Sequence, residues 1–267
     1  MMLELLKYVL LGIIQGITEI LPISSSGHLT LFSHFLGMNL DKLTVFLMLT
    51  NTGSFLAILF FFRKDVAGLV QSSYRYIIKA DHNFKEDFLY VIKVGIAVIP
   101  VGIAGLIFEN ILPNDLLTTS IALFITGSLL LIIYLNRHFE YNKNVTFQNA
   151  IAVGLFQMFA VVPGISRSGI TLVGGLSQKL PLKSAMKFSF LSYIMISIPV
   201  SVLGFIRLSE VNESVNILGY GVSFILSFIF SYYAIRWFYR HVKVKNLIYF
   251  SVYCFVIGTI SLIIYFI

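Results

Sequence analysis

Two polar runs interrupt otherwise apolar stretches of this chain, and they hold the residues best able to do chemistry. The first carries Gln15 and Glu19, one helical turn apart, followed by Leu21-Pro22-Ile23-Ser24-Ser25-Ser26-Gly27-His28. The second reads Val162-Pro163-Gly164-Ile165-Ser166-Arg167-Ser168-Gly169, with Thr171 just beyond it. Pro, Gly and Ser at such breaks end one helix and cap the next. A helix start presents unpaired backbone amides and the positive end of the helix dipole, which suits phosphate. Arg167 adds a guanidinium able to grip phosphate through two parallel hydrogen bonds. These features point to an anionic substrate, a phosphate ester. Its binding residues are expected among Ser24, Ser26, Gly27, Gly164, Ser166, Ser168, Gly169 and Thr171, around Arg167.

Each candidate also has a plainer role open to it. Arg167 can be a structural cation satisfied by carbonyls, although a charge inside a membrane is functional by default. Glu19, the one carboxylate expected in the membrane core, either closes a helix end or serves as metal ligand or general base. Gln15 shares its helix face at i,i+4 and is either a ligand beside it or polar glue between helices. His28 either caps the Gly27 turn or acts as acid and base for Ser25. A serine nucleophile requires that histidine within hydrogen-bond reach. Thr50-Asn51-Thr52-Gly53-Ser54 either lines the pocket, with Asn51 as a binding residue, or eases close helix packing. His34, His82, His138 and His241 lack acidic partners at ligand spacing. Zinc would want clusters of His and Cys, which this sequence lacks. Mg²⁺ or Ca²⁺ held by Glu19, Gln15 and the substrate's own phosphate oxygens fits the composition better.

The elements that must position these groups follow from composition. Of 267 residues, 58% are hydrophobic and 12% charged, against roughly 45–50% and about 25% in an average soluble domain. Mean hydropathy is +0.90. Too little polar surface remains to coat a water-soluble globule, so a soluble enzyme, a disordered scaffold and a nucleic-acid binder are all excluded. The net charge of +7 reflects basic cytoplasmic loops rather than an anionic partner. A single cysteine, Cys254, excludes an intrachain disulfide and reads as a packing residue. Glu4, Lys7, Gln15 and Glu19 interrupt the N-terminal apolar region, which argues against a cleavable signal.

Six stretches have transmembrane length, at about 43–62, 88–108, 116–135, 185–207, 215–236 and 246–267. The stretches from Leu3 to Met38 and from Phe147 to Leu182 are too long for one helix and too short for two spans. They read as re-entrant hairpins, each a half-helix, a polar loop and a second half-helix. Connections 63–87, 136–146 and 237–245 are rich in Lys and Arg and are expected in the cytoplasm. Connections 109–115 and 208–214 carry Glu109, Asp115, Glu210 and Glu213 without Lys or Arg, and are expected outside. Counting crossings between these loops puts the first hairpin on the outer side, the second on the cytoplasmic side, and both termini outside. Gly12, Gln15, Ser24, Ser26 and Gly27 recur as Gly154, Gln157, Ser166, Ser168 and Gly169, each pair 142 positions apart. The expected architecture is therefore an all-α integral membrane protein, one domain over 1–267. It has six full spans and two re-entrant hairpins, arranged as an inverted-topology repeat (about 1–140 and 141–267). Such repeats bring their broken helices together near the midplane.

The two motifs resemble those of the undecaprenyl-diphosphate phosphatases linked to bacitracin resistance. Residues 15–28 are similar to that family's (Glu/Gln)-x-x-x-Glu followed by Pro-x-Ser-Ser-x-Gly-His, and residues 163–169 to its Pro-Gly-x-Ser-Arg-Ser-Gly. Gly53, Phe62-Arg63-Lys64-Asp65 and Phe188-Ser189-Phe190-Leu191 also fit, so the likeness covers the whole chain. The resemblance implies a cell-membrane hydrolase that removes the terminal phosphate of a polyprenyl diphosphate at the outer face, recycling the cell-wall lipid carrier. It implies Glu19 as cation ligand or base, Ser25 as nucleophile, and His28 as its acid/base partner. Arg167 would hold the diphosphate, with Ser166 and Ser168 donating to it. Gln15 stands where the motif's first carboxylate often is, and Leu47 and Asn51 where relatives often have an acidic residue and Gln or His. The partner expected is a membrane lipid, with no nucleic acid, and a homodimer is open. The rival expectation is a transporter or flippase of an anionic lipid or phosphorylated small molecule, since facing broken helices are also transporter architecture.

Overall fold

The computed structural model describes residues 2–38, 43–108, 111–113, 115–210 and 216–267. Among these residues every regular element is a helix, with no strand. The expected spans form α3 (Leu43–Phe61), α5 (Lys85–Phe108), α6 (Leu116–Leu135), α9 (Leu182–Glu210), α10 (Ile217–His241) and α11 (Leu247–Phe266). All of these but α3 are long and apolar enough by themselves to cross a membrane. The described part of α3 reaches that length only together with α4 (Arg63–Ile78), from which it is bent by 72°. The chain is a multi-pass, all-helical membrane protein.

The two broken stretches form helix pairs: α1 (Met2–Ile20) with α2 (Ser25–Phe35), and α7 (Phe147–Met158) with α8 (Arg167–Ser177). Pro22 lies in the first break, Pro163 and Gly164 in the second. A 3-10 turn, Phe159–Val161, leads into the second break. At 19 residues α1 is longer than the expected half-helix. The basic connection 63–87 is also not an open loop. Val66 and Leu69 pack one face of α4 against the core, and Asp65 in its first turn bonds Lys187 of α9 at 2.5 Å. A partly buried apolar face and an acidic residue at the positive helix end help to order such a segment. Asp115, read from sequence as a loop charge, caps α6 by accepting from the Thr118 amide at 2.7 Å. Glu109 and Glu213, which support the outward assignment of two connections, lie outside the described residues.

Helices α2 and α8 begin 142 positions apart and have equal length. Each is capped by a serine, Ser24 or Ser166, whose Oγ accepts from the amide of Gly27 or Gly169 at 3.1 Å. Packing follows the same correspondence: α1 lies against α10, and α7 against α5. Both contacts depend on a glycine. A Cβ on Gly12 would sit 2.7 Å from the Ser223 backbone, and one on Gly154 would sit 2.8 Å from the Ala97 carbonyl. Along α10, Ser223, Ser227 and Ser231 repeat every fourth residue, fully buried. Their hydroxyls donate to the carbonyls of Tyr8, Thr50 and Gly16 at 2.6–2.9 Å. These bonds tie α10 to α1 and α3, where lipid offers no hydrophobic drive to do so.

Because backbone faces backbone at Gly12, no side chain can yield to a new methyl. Gly12→Ala is expected to destabilise the protein by about 1–3 kcal/mol, as overpacking does. Gly102→Ala, where a Cβ meets nothing within 4 Å, is expected to be neutral or slightly stabilising. Thermal midpoints in detergent check the pair, and equal midpoints would refute the close-approach account.

Candidate active site

Glu19 occupies the last turn of α1, and Ser25 is the first residue of α2. The turn between them brings Ser25 Oγ to donate to Glu19 Oε2 at 2.5 Å. The same oxygen accepts from Gln15 Nε2 at 2.9 Å, and that nitrogen also donates to Asn51 Oδ1 on α3 at 2.7 Å. The carboxylate is therefore oriented from two sides. Ser24 makes the turn possible at a cost. Its φ is +72°, a left-handed conformation that costs a non-glycine residue on the order of 1–3 kcal/mol unless its surroundings hold it. They do: its Oγ caps α2, and its carbonyl accepts from the His28 amide at 3.3 Å and meets His28 Nδ1 at 2.7 Å.

At the second break Gly164 has φ +91°, and a Cβ there would come 2.8 Å from Thr119 Cα. Only glycine meets both demands. Its amide donates to Ser26 Oγ at 3.1 Å, and Ser168 Oγ donates to the Leu21 carbonyl at 3.1 Å. Each break is thus bonded to the other, across 138 and 147 positions of sequence. Ser166 donates its amide to Thr126 Oγ1 at 3.3 Å. Arg167 opens α8, with its guanidinium 5.1 Å from the ring centroid of buried Tyr193. Among the described residues it forms no ion pair.

One cleft lies where the breaks meet. Its walls are Thr18, Glu19, Ser25, Ser26, Asn51, Ala160, Ile165, Ser166, Arg167 and Ser168. The arrangement combines a hydroxyl already bonded to a carboxylate with further hydroxyls and a guanidinium that forms no ion pair among the described residues. Such a cleft can bind an anion and deliver a nucleophile to it.

Several expected residues support this cleft without lining it. The Gly27 and Gly169 amides are engaged by the caps and the Gly164 amide by Ser26, so these three donors hold the fold rather than face a ligand. Ser24 caps α2, and Thr171 bonds back to the Arg167 carbonyl at 2.7 Å. Gln15 turns its amide nitrogen, not its oxygen, towards Glu19, which orients the carboxylate instead of adding a ligand oxygen. The expected pairing of His28 with Ser25 is not formed. His28 is 1% exposed, and its ring nitrogens meet the Ser24 carbonyl and the Tyr253 hydroxyl. Its place one turn after Ser24 directs it back onto that carbonyl, and Ser25 pairs with Glu19 instead.

The polar run on α3 divides between the two roles open to it. Asn51 reaches the cleft, while Thr52 and Ser54 bond Ser201 and Ser227 of neighbouring helices. Sequence reasoning missed Thr18, Ala160, Ile165, Thr126, Tyr193 and Tyr253. One signal was available: Tyr193 stands 142 positions after Asn51, the same offset that relates the two motifs. Among the described residues no three His, Cys, Asp or Glu side chains cluster as a metal site. The one carboxylate lining the cleft, Glu19, fits a hard cation that brings most of its oxygen ligands with it.

Comparison with known proteins identifies the chain's relatives. Residues 8–260 match the family described as Bacitracin resistance protein BacA. A protein named undecaprenyl-diphosphatase from Acholeplasma laidlawii is 49% identical, over 98% of both chains. Undecaprenyl-diphosphatase 1 of Bacillus licheniformis is 38% identical over 98% of both. Undecaprenyl-diphosphatase of Oceanobacillus iheyensis is 38% identical over 97% of this chain and 96% of its own. With both motifs meeting at one cleft and the match running nearly end to end, the chain belongs to the BacA bacitracin-resistance family.

Proposed function

We propose that the protein hydrolyses undecaprenyl diphosphate to the monophosphate and inorganic phosphate. The observation that carries this reading is the Ser25–Glu19 bond in a cleft shared with Arg167, in a chain whose relatives are named for that activity. Arg167 binds the diphosphate through two guanidinium donors, and the hydroxyls of Ser26 and Ser166 complete the anion site, while that of Ser168 stays with the Leu21 carbonyl. Glu19 takes the proton from Ser25 Oγ as that oxygen attacks the terminal phosphorus. The P–O bond to the lipid monophosphate breaks, and the lipid leaves as an anion with no need of an acid. Glu19 gives the Ser25 proton up to solvent. It then deprotonates a water as the water attacks the phosphorus, and passes that proton to Ser25 Oγ as the Oγ–P bond breaks and phosphate leaves. Mg²⁺ or Ca²⁺, held by Glu19 and substrate oxygens, would neutralise charge on the transferred phosphoryl group.

The same reading includes the topology. The helix pairs α1–α2 and α7–α8 are re-entrant hairpins, and residues 1–140 and 141–267 are inverted repeats of one transmembrane domain. The cleft opens to the outer face and both termini lie outside. Support comes from the 142-residue offset, the equivalent serine caps, the equivalent Gly12 and Gly154 contacts, and the basic connections 63–87, 136–146 and 237–245.

Arg167→Ala leaves a desolvated anion without its charged partner, a loss of about 2–5 kcal/mol, so phosphate release should fall ~30- to several-thousand-fold. Retained activity in folded variant protein removes Arg167 from the mechanism. Ser25→Ala should abolish turnover; near-normal rates would favour water activated directly by Glu19. EDTA should stop phosphate release and added Mg²⁺ or Ca²⁺ restore it, whereas activity that survives chelation rules out the cation. Detergent-solubilised protein, with no membrane to cross, must still release phosphate. A protein that moves lipid between leaflets but hydrolyses nothing would be the transporter instead.

A further inference from the structure

Tyr253 lies on α11, far in sequence from both breaks, and the chemistry above makes no use of it. Its hydroxyl meets His28 Nε2 at 2.8 Å, and the two rings stack with centroids 5.5 Å apart and planes 2° from parallel. On the other side of the imidazole, Nδ1 lies 2.7 Å from the Ser24 carbonyl oxygen. A carbonyl only accepts, so Nδ1 carries the proton, and Nε2 of the neutral ring accepts from the Tyr253 hydroxyl. The contacts therefore run in one direction: Tyr253 O–H to His28 Nε2, then His28 Nδ1–H to Ser24 C=O. Ser24 is the residue held at positive φ, and the next residue carries the Oγ bonded to Glu19. A turn so strained keeps its shape only while its carbonyl and hydroxyl are held.

We propose that Tyr253 is a positioning residue for the reaction. Acting through His28, it holds the Ser24 peptide and so sets Ser25 Oγ against Glu19. This role rests on the reading of Ser25 and Glu19 given above. Tyr253 is 40% exposed, so it is not a core ring whose alteration collapses the fold.

Tyr253→Phe keeps the ring and removes the donor. In the full-length protein, kcat for phosphate release from undecaprenyl diphosphate should fall ~3- to 10-fold, the effect of one lost hydrogen bond. KM and the thermal midpoint should stay unchanged. In a His28→Ala background the same substitution should cause no further fall, because its route is already cut. Wild-type kcat in Tyr253→Phe, or losses that multiply in the double variant, would overturn the proposal. A second measurement needs no change at Tyr253: the imidazole ¹⁵N shifts of labelled protein, with the His28 signals identified by their loss in His28→Ala. The expected result is a neutral ring protonated at Nδ1; protonation at Nε2 instead overturns the relay. Wild-type protein that releases no phosphate removes the phosphatase reading and this role together, while an active wild type with an unaffected Tyr253→Phe removes the role alone.

Discussion

Non-helical backbone in the interior of a membrane protein must find its hydrogen bonds within the protein, since lipid offers none. The two breaks meet this demand by serving each other. Ser26 accepts from the Gly164 amide, and Ser168 donates to the Leu21 carbonyl. Each break takes one of its bonds from the other, and the cleft forms where they touch. Binding groups and structural groups consequently share each motif. Ser24 and Gly27 hold the first turn while Ser25 faces Glu19. Ser166 both caps α8 and lines the cleft beside Arg167.

Two of the residues at positive φ lie in the same places. Ser24 adopts a left-handed conformation, and Gly164 sits at positive φ against the backbone of α6. Rigid surroundings hold both, and those surroundings are helices packed unusually close. Glycine at 12 and 154 lets α1 and α7 meet α10 and α5 backbone to backbone, while the serines of α10 fasten it to α1 and α3. Close packing in the scaffold and strain at the site are two aspects of one device. A loose bundle would let the Ser24 turn relax and carry Ser25 away from Glu19.

Much of this could be read in the residues themselves. Motif spacing and resemblance pointed to Glu19, Ser25, Ser26, Asn51, Ser166, Arg167 and Ser168, and all of these line one cleft. They were legible because polar groups in so apolar a chain are few and have to be explained. The serine caps were legible from local rules, since an N-cap is decided within four residues. The helical character of 63–78 was not legible because Arg63, Lys64, Asp65 and Arg75 leave only a short apolar pattern, Val66 and Leu69, to face the core. Gly27, Gly164 and Gly169 were expected to offer amides to a ligand; whether an amide is exposed depends on what packs over it.

Composition and period alone determined that the chain is helical, that it spans a membrane several times, and that its helices break at 21–24 and near 162–166. Those features depend on local sequence and on the cost of exposing polar backbone to lipid. Tertiary structure decided the partners. Ser25 bonds Glu19 and not His28, and His28 turns to Ser24 and Tyr253. Arg167 lies over Tyr193, and Gln15 orients the carboxylate with Asn51 as its second acceptor. Rotamers, and contacts between helices such as that of His28 with Tyr253 across 225 positions, are set by how helices cross, and no local pattern encodes that crossing.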